Sequence, residues 1–301
     1  MKANKLTVSI GIPAYNEEKN IKKLLAALLS LKTNKCTLER IIVVSDASDD
    51  NTNLEVKSVK NKLIKLVINK KRIGKARSQN KILDRVYSQI LVILDADVLP
   101  TTNQFLSKIA RPFLENKNIG LVGGKVVPIE ATTFVEKIIN YSVLLKEDLY
   151  LNINKGNNIY HCHGRVRAFS KNFYENFRWQ PTLGEDAYSY LACKQKGFEF
   201  YYEPEASVLY RSPTFLTDHF KQSMRFSRSR RYLRNFYNKD LIDKEYPSYT
   251  KALFKNFIFY FLGNPILFFA YCCIFIITKI YPFFSTGEKT SWATSSSTKR
   301  L

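Results

Sequence analysis

Asp95-Ala96-Asp97 stands directly behind the hydrophobic run ILVIL. Two carboxylates at i and i+2 on a strand end can share one hard divalent cation, and Mg²⁺ takes a few carboxylates together with phosphate oxygens. That pairing suits neutralisation of a diphosphate, although acidic pairs also end strands without any ligand. Glu185-Asp186 follows Gly184 and opens a helical stretch. A carboxylate there can take the proton of an attacking hydroxyl or serve the helix start as a cap. Arg225, three residues after Gln222, and Lys75 can bring positive charge to a departing diphosphate from two sides, the alternative being contact with lipid headgroups. Tyr15 and Glu17 follow Pro13-Ala14: the ring can stack on a base, and the acid can bind a ribose or start a helix. Asp46 can accept hydrogen bonds from a base or ribose, whereas Asp49 and Asp50 suit the positive end of the next helix. His161-Cys162-His163 lacks the partner cluster of a zinc site. His163, beside Gly164, fits the pocket of the attacking substrate or packing next to it.

Elements of defined direction must bring these groups together. Over residues 7–115 the runs TVSIGI, IIVVS, LIKLVI and ILVILD each precede a polar or amphipathic stretch, the signature of a parallel sheet with crossover helices. Ile21, Leu24, Leu25, Leu28 and Leu29 share one helical face and read as core. Ligands of open α/β sheets sit beyond the carboxyl ends of the strands. Those ends carry PAYNEE, DASDDNT, NKKRIGKARSQN and DAD, so four polar segments converge on one site. From about residue 119 the chain changes character, with GLVGGKVVP, an amphipathic segment near 132–151, HCHGRVRAF and GEDAYSYLACKQKG. Residues 214–238 interleave aromatics with arginines, as in a helix lying in the headgroup layer or an ordinary basic surface helix. Residues 257–278 carry no charge over twenty-two positions, close to the length that crosses a bilayer. Gly263, Asn264 and Pro265 can kink that run or split it into a re-entrant element.

Forty-seven Lys and Arg against twenty-six Asp and Glu give a formal charge of +21, which attracts anionic lipid, phosphorylated substrates or nucleic acid. No nucleic-acid reading module or zinc pattern is present, so nucleic acid is not expected as a partner. The five cysteines form an odd set without a CxxC pair and indicate a reducing compartment. The N-terminus lacks an apolar core long enough for a signal peptide, which points to a catalytic part on the cytoplasmic side.

The ordered set PAYNE, SDASDDNT, GKARSQN, DAD, VGGKVVP, GRVRAF, GED and QSMRF, over roughly residues 6–235, resembles glycosyltransferase family two. That family comprises inverting enzymes such as cellulose, chitin and hyaluronan synthases and dolichyl-phosphate mannose synthase. The resemblance implies an α/β GT-A fold, Rossmann-like, with C-terminal interfacial and membrane helices. Residues 1–212 would be catalytic, 213–250 a basic amphipathic interfacial region, 251–282 a membrane segment and 283–301 a Ser/Thr-rich tail. It implies nucleoside contacts from Pro13, Ala14, Tyr15, Glu17 and Asp46, with Asp95 and Asp97 serving diphosphate and metal, Mg²⁺ or Mn²⁺. Asp186 becomes the catalytic base. Lys75, Gln222 and Arg225 cover the donor, and Gly164, Glu185 and Phe226 lie on the acceptor side. Ser45 and Ala47 depart from the family's DDGS, and Phe226 replaces the Trp of QxxRW, which speaks against a processive synthase. The expected reaction carries a sugar from a nucleotide-diphosphate donor, UDP-linked by preference, to a lipid-linked or growing glycan acceptor at an anionic cell membrane. A processive synthase using partner helices and a non-catalytic basic binding protein are the alternatives.

Overall fold

The computed structural model describes residues 5–33, 36–247, 250–284 and 298. In chain order the elements are β1 (Leu6–Ala14), α1 (Ile21–Leu29), β2 (Cys36–Ser45), α2 (Thr52–Ser58), β3 (Ile64–Ile68), α3 (Lys75–Leu83), β4 (Ile90–Leu94), β5 (Val98–Pro100), α4 (Phe105–Glu115) and β6 (Ile119–Pro128). They continue with α5 (Phe134–Leu151), β7 (Val166–Ser170), α6 (Lys171–Tyr174), α7 (Glu185–Gln195), β8 (Glu199–Tyr210), α8 (Leu216–Leu233), α9 (Lys239–Glu245), α10 (Thr250–Gly263) and α11 (Pro265–Phe284).

The strands form one sheet in the order β3-β2-β1-β4-β7-β6-β8-β5. The four strands expected from the sequence make its parallel half. β7 runs antiparallel between β4 and β6, β8 lies parallel to β6, and β5 closes the edge antiparallel to β8. The order in which strands are added reverses at β1, which has β2 on one side and β4 on the other, both parallel to it. This is a switch point, where the connections leave in opposite directions and open a crevice at the strand carboxyl ends. Pro13-Ala14-Tyr15 and Asp95-Ala96-Asp97 end those two adjacent strands, so topology alone brings them to one crevice.

Two apolar layers clamp the sheet, which is why β1, β2 and β4 read as nearly continuous hydrophobic runs rather than alternating ones. On one face Ile21, Leu24, Leu25 and Leu28 of α1 pack with Phe105, Leu106 and Ile109 of α4. On the other, α3, α6 and α7 bury Ile82, Phe173 and Leu191. A Cβ at Gly11 would stand 2.4 Å from Ile82 Cγ2, so α3 crosses β1 at a distance only glycine permits. Leu233, Tyr237 and Ile242, from the stretch expected to be interfacial, are buried in this second layer. That stretch therefore packs on the catalytic unit through at least one face.

The uncharged run over 257–278 is not one straight segment. It breaks at Asn264 into α10 and α11, and among the described residues no helix is long and apolar enough to cross a membrane. Pro265 offers no N–H and suits only the first turn of a new helix. Asn264 accepts the Leu267 N–H at 3.0 Å through its side chain, a capping contact that starts α11. The chain folds back far enough that Phe268 meets Phe257, ring centroids 4.6 Å apart, and Phe261 at 5.9 Å. The pair docks on α5 through Leu145, Leu149 and Phe268, with the Tyr141 hydroxyl donating to the Tyr260 carbonyl at 2.6 Å. Apart from residue 298, the Ser/Thr-rich tail beyond Phe284 lies outside the described residues.

Candidate active site

Asp46 is fully buried at the end of β2 and organises the loop that leads into α3. Its Oδ1 accepts from Asn69 Nδ2 and from the Ile73 N–H, both at 2.9 Å. Its Oδ2 accepts the Gly74 N–H at 2.8 Å. Gly74 sits at φ 89°, a region only glycine enters freely. The turn thus formed aims Lys75, the first residue of α3, into the crevice. Asp46, expected among the nucleoside contacts, spends its carboxylate largely on this loop. Ala47, where the family pattern has glycine, is held at φ 57°.

Lys75 is almost completely enclosed and bridges two carboxylates. Its Nζ lies 2.7 Å from Asp95 Oδ1 and 2.6 Å from Glu185 Oε1. Burial alone would lower its pKa, but Asp95 and then Glu185 outweigh it and hold the ammonium charged. The reciprocal effect appears at Glu185: burial opposes ionisation, and Lys75, then Arg225 and Arg167, overcome it and lower the carboxyl. Asp97 goes the other way. Desolvation in the crevice and then repulsion from Asp95 raise it, against the pull of Arg165 and Lys75.

Asp95 and Asp97 offer hard oxygen donors of the kind Mg²⁺ and Mn²⁺ prefer. The raised carboxyl of Asp97 is what a divalent cation would relieve. Among the described residues no group of three or more His, Cys, Asp or Glu side chains converges to hold a metal. Further coordination would therefore fall to phosphate oxygens and water. On that donor set the pair fits such a cation.

Glu185 and Asp186 occupy the first turn of α7 and part company. Glu185 turns with Lys75 to a small cavity of about 250 Å³, bordered by Gly74, Arg77, Arg225 and Tyr232. Asp186 lines a second and larger one of about 930 Å³, together with His163, Arg165, Gln222 and Phe226. Burial, and next the charge of Glu185, raise the Asp186 carboxyl above its ordinary value. Glu185, expected on the acceptor side, faces instead the cavity of Lys75 and Arg225, because adjacent residues of a helix point about 100° apart. Gly164 lies against the junction: a Cβ there would stand 3.2 Å from Glu185 Oε1, 3.4 Å from Lys75 Nζ and 3.6 Å from Asp186 Oδ2.

α8 covers both cavities. Gln222, Arg225, Phe226 and Ser229 follow the i, i+3, i+4, i+7 spacing of one helical face. Arg225 borders the smaller cavity, while Gln222, Phe226 and Ser229 border the larger. Gly184 permits this approach, since a Cβ there would meet Ser229 Cβ at 2.9 Å. Tyr15, expected to stack on a base, carries the Arg72 guanidinium over its ring, 4.0 Å from the centroid. Glu17 accepts from Asn20 Nδ2 at 3.0 Å and stands just before α1. Asp50, expected to cap α2, stands one residue before its N-cap Asn51; it accepts the Thr52 N–H at 2.9 Å in a local turn and the Glu18 N–H at 3.1 Å.

Several contributors escape a reading of the sequence. Arg167 is fully buried in β7; its Nη1 donates to the Glu185 carbonyl at 3.0 Å and to Ser189 Oγ at 2.8 Å, fixing the start of α7. Its only sequence signal is a charge inside the apolar run VRAF. Arg165, whose carbonyl accepts the Asp95 N–H at 3.1 Å, links the acidic pair to the large cavity. Glu147 lies 3.3 Å from His161 Nε2 and accepts the Tyr202 hydroxyl at 2.6 Å. Burial opposes its ionisation, yet these partners lower its carboxyl to about 2. His161 stacks on Tyr202, centroids 3.9 Å apart, and so packs rather than ligates. His163 does line the large cavity, its imidazole kept neutral by burial, which pushes it down to about 3.

Comparison with known proteins agrees with this architecture. The chain is 31% identical over 144 residues to the UDP-Glc:alpha-D-GlcNAc-diphosphoundecaprenol beta-1,3-glucosyltransferase of Escherichia coli, a stretch covering 46% of this chain and 55% of the relative. The chain thus spans about half the length of that protein. The fold matches a mannosyltransferase from Pyrobaculum calidifontis solved with GDP-Man and Mn²⁺, with a TM-score of 0.58, 19% identity, and coverage of 95% of this chain and 77% of the other. It also matches glucosyl-3-phosphoglycerate synthase from Mycobacterium tuberculosis solved with Mn²⁺, UDP and phosphoglyceric acid, with a TM-score of 0.51, 17% identity, and coverage of 69% and 71%. Both likenesses establish the GT-A glycosyltransferase fold. The family pattern of Glycosyl transferase family 2 matches residues 9–178, more than half of the chain, and the protein belongs to that family.

Proposed function

We propose that the protein is a membrane-associated inverting glycosyltransferase that moves a sugar from a UDP-sugar to a lipid-linked or growing glycan acceptor, with its catalytic unit on the cytoplasmic face. The observation that carries this reading is the division of labour at the start of α7. Glu185 is locked to Lys75 beside the acidic pair, while Asp186, one residue on, opens to a separate cavity. Single displacement with inversion needs a donor on one side of the reacting carbon and a base with the acceptor on the other.

Asp186 takes the proton of the acceptor hydroxyl as that oxygen attacks. A carboxylate whose pKa lies above the ordinary range is the stronger base for this transfer. Arg225 faces the departing diphosphate from α8, and Lys75 holds Asp95 in register. Asp95 and Asp97 would hold Mg²⁺ or Mn²⁺, which when bound neutralises charge on the leaving diphosphate. Tyr15, Glu17 and the β1 end at Pro13-Ala14 lie where the nucleoside is read.

A UDP-sugar and a lipid-linked acceptor are supported by what the Escherichia coli relative is named for. Binding to an anionic bilayer surface is supported by the formal charge of +21 and by the exposed side chains of Phe259, Leu262, Ile266 and Phe269 on α10 and α11. Isolated apolar residues are normal on protein surfaces, but a contiguous group marks an interaction site.

The test is titration calorimetry with UDP, GDP and their sugar conjugates, with and without Mn²⁺, followed by transfer assays. Metal-dependent binding of one nucleotide, retained in Asp186→Asn while transfer is lost, is expected. Full transfer by Asp186→Asn would refute the assignment of the base.

A further inference from the structure

Arg167 occupies a core position of β7. Its strand neighbours Val166 and Ala168 turn to the layer of α1 and α4, so by alternation Arg167 turns with Phe169 to that of α3, α6 and α7. Across the sheet it stands between Ile93 of β4 and Gly123 of β6. The side chain is fully buried, yet none of its nitrogens bonds a carboxylate among the described residues. Nη1 meets the Glu185 carbonyl and Ser189 Oγ, while Nε and Nη2 have no hydrogen-bond partner. The rings of Phe169 and Trp179 lie with their centroids 5.8 Å from its Cζ.

A buried charge without a counter-ion is a poor device for stabilising a fold. Nor do its two acceptors depend on it. The Glu185 carbonyl also accepts from Trp179 Nε1 at 2.8 Å, and Ser189 Oγ donates to the Asp186 carbonyl at 2.8 Å. Arg167 lines neither cavity, so it touches no substrate there. What its charge does face is the first turn of α7. Burial and then Glu185 raise the Asp186 carboxyl, and Arg167 is the foremost group pulling it back, ahead of the Ala187 N–H and Arg225.

The other groups around Asp186 are Glu185 on its own helix, Arg225 from α8, Tyr246 after α9, and Cys162, His163 and Arg165 from the segment before β7. Tyr246, Cys162 and His163 are kept neutral by burial. Arg165 and Arg225 are only half-buried, so of the three arginines Arg167 has the least screened field.

Resting on the reading of Asp186 as the acceptor base, we propose that Arg167 is a positioning residue for sugar transfer: it fixes the first turn of α7 and holds a positive charge behind the Asp186 carboxylate. The acceptor hydroxyl gives its proton to an Asp186 oxygen, and the guanidinium keeps that oxygen unprotonated before the attack.

The test is a pH titration of the unliganded full chain by difference infrared spectroscopy, where the protonated carboxyl band missing from Asp186→Asn belongs to Asp186. In Arg167→Met that band should persist to higher pH than in the parent, with Tm no lower. Arg167→Lys, which keeps the charge, should return the band to the parent's pH. Transfer from UDP-glucose with Mn²⁺ to an alkyl diphosphate-linked N-acetylglucosamine supplies the kinetic readout. In Arg167→Met kcat should fall on the order of tenfold at about pH 6 and recover toward about pH 9, with KM for UDP-glucose unchanged. A band at the parent's pH in Arg167→Met, or a variant that unfolds or loses Tm, would make Arg167 a structural residue and overturn the proposal. Should Arg167→Met not fold, a band displaced in a folded Arg167→Lys also counts against it. The two readings fail separately: full transfer by Asp186→Asn removes the base, whereas an unmoved band removes only the role of Arg167.

Discussion

Replacing Lys75 by methionine tests whether this lysine chiefly holds the crevice together or chiefly waits for a ligand. Its ammonium stands 2.7 Å from Asp95 and 2.6 Å from Glu185, with side-chain exposures of 8%, 22% and 9% for the three groups. At an effective dielectric near 20, each contact represents about 6 kcal/mol of gross attraction, most of it offset by desolvation. The net quantity is the cost of orphaning a buried partner, about 3–5 kcal/mol when one member of such a pair is removed. Two carboxylates lose their counter-ion here, and Asp95 retains some solvent, so the upper part of that range is a fair ceiling. For a chain of 301 residues this corresponds to a fall in Tm of roughly 5–8 °C. Denaturant unfolding of unliganded Lys75→Met against the parent protein measures it directly. The double variant Lys75→Met/Glu185→Gln should recover about 1–2 kcal/mol, since one of the two orphaned charges is then gone. A single variant within about 0.5 kcal/mol of the parent, with transfer abolished, would refute the structural role and return Lys75 to the ligand alone.

Asp186→Asn should raise Tm at neutral pH while abolishing transfer. Its folded carboxyl is raised above the unfolded value by burial and by Glu185, so ionisation destabilises the fold as pH rises through that window; the gain should vanish in acid, and a lower Tm at pH 7 would contradict it. Glu147→Gln should cost roughly 3 kcal/mol near neutrality, from a carboxyl lowered from 4.5 to about 2, and the cost should fade as pH drops through that interval, which unfolding at stepped pH would reveal. Gly164→Ala should reduce kcat several-fold with little change in Tm, because displacements of a few tenths of an ångström at the Glu185, Lys75 and Asp186 junction matter more to alignment than to packing; an unchanged kcat in Gly164→Val as well would remove the constraint. Ala47→Gly should stabilise by about 0.5–1 kcal/mol, as relief of a left-handed alanine at φ 57° exceeds the entropy glycine adds to the unfolded chain.

The local parts of this protein are legible in its residues. Strand runs buried on both faces, the five-residue apolar face of α1, the start of α7 after Gly184 and the acidic pair behind β4 all depend on spacing within one element. Strand direction then carries the polar segments to one crevice. The split of the uncharged run is local too, written in Asn264-Pro265, although its length alone suggests a single span.

What needed the tertiary structure was the use each charged group makes of partners distant in sequence. Asp46 reaches to Asn69 and Gly74, Lys75 to Glu185, Arg167 to the carbonyl of Glu185 and Glu147 to Tyr202. No periodicity encodes such pairs, because they are set by how layers stack. The division of Glu185 from Asp186 has the same origin: helical geometry separates their directions, but only the packing of α8 and α11 over the sheet decides what lies in each direction.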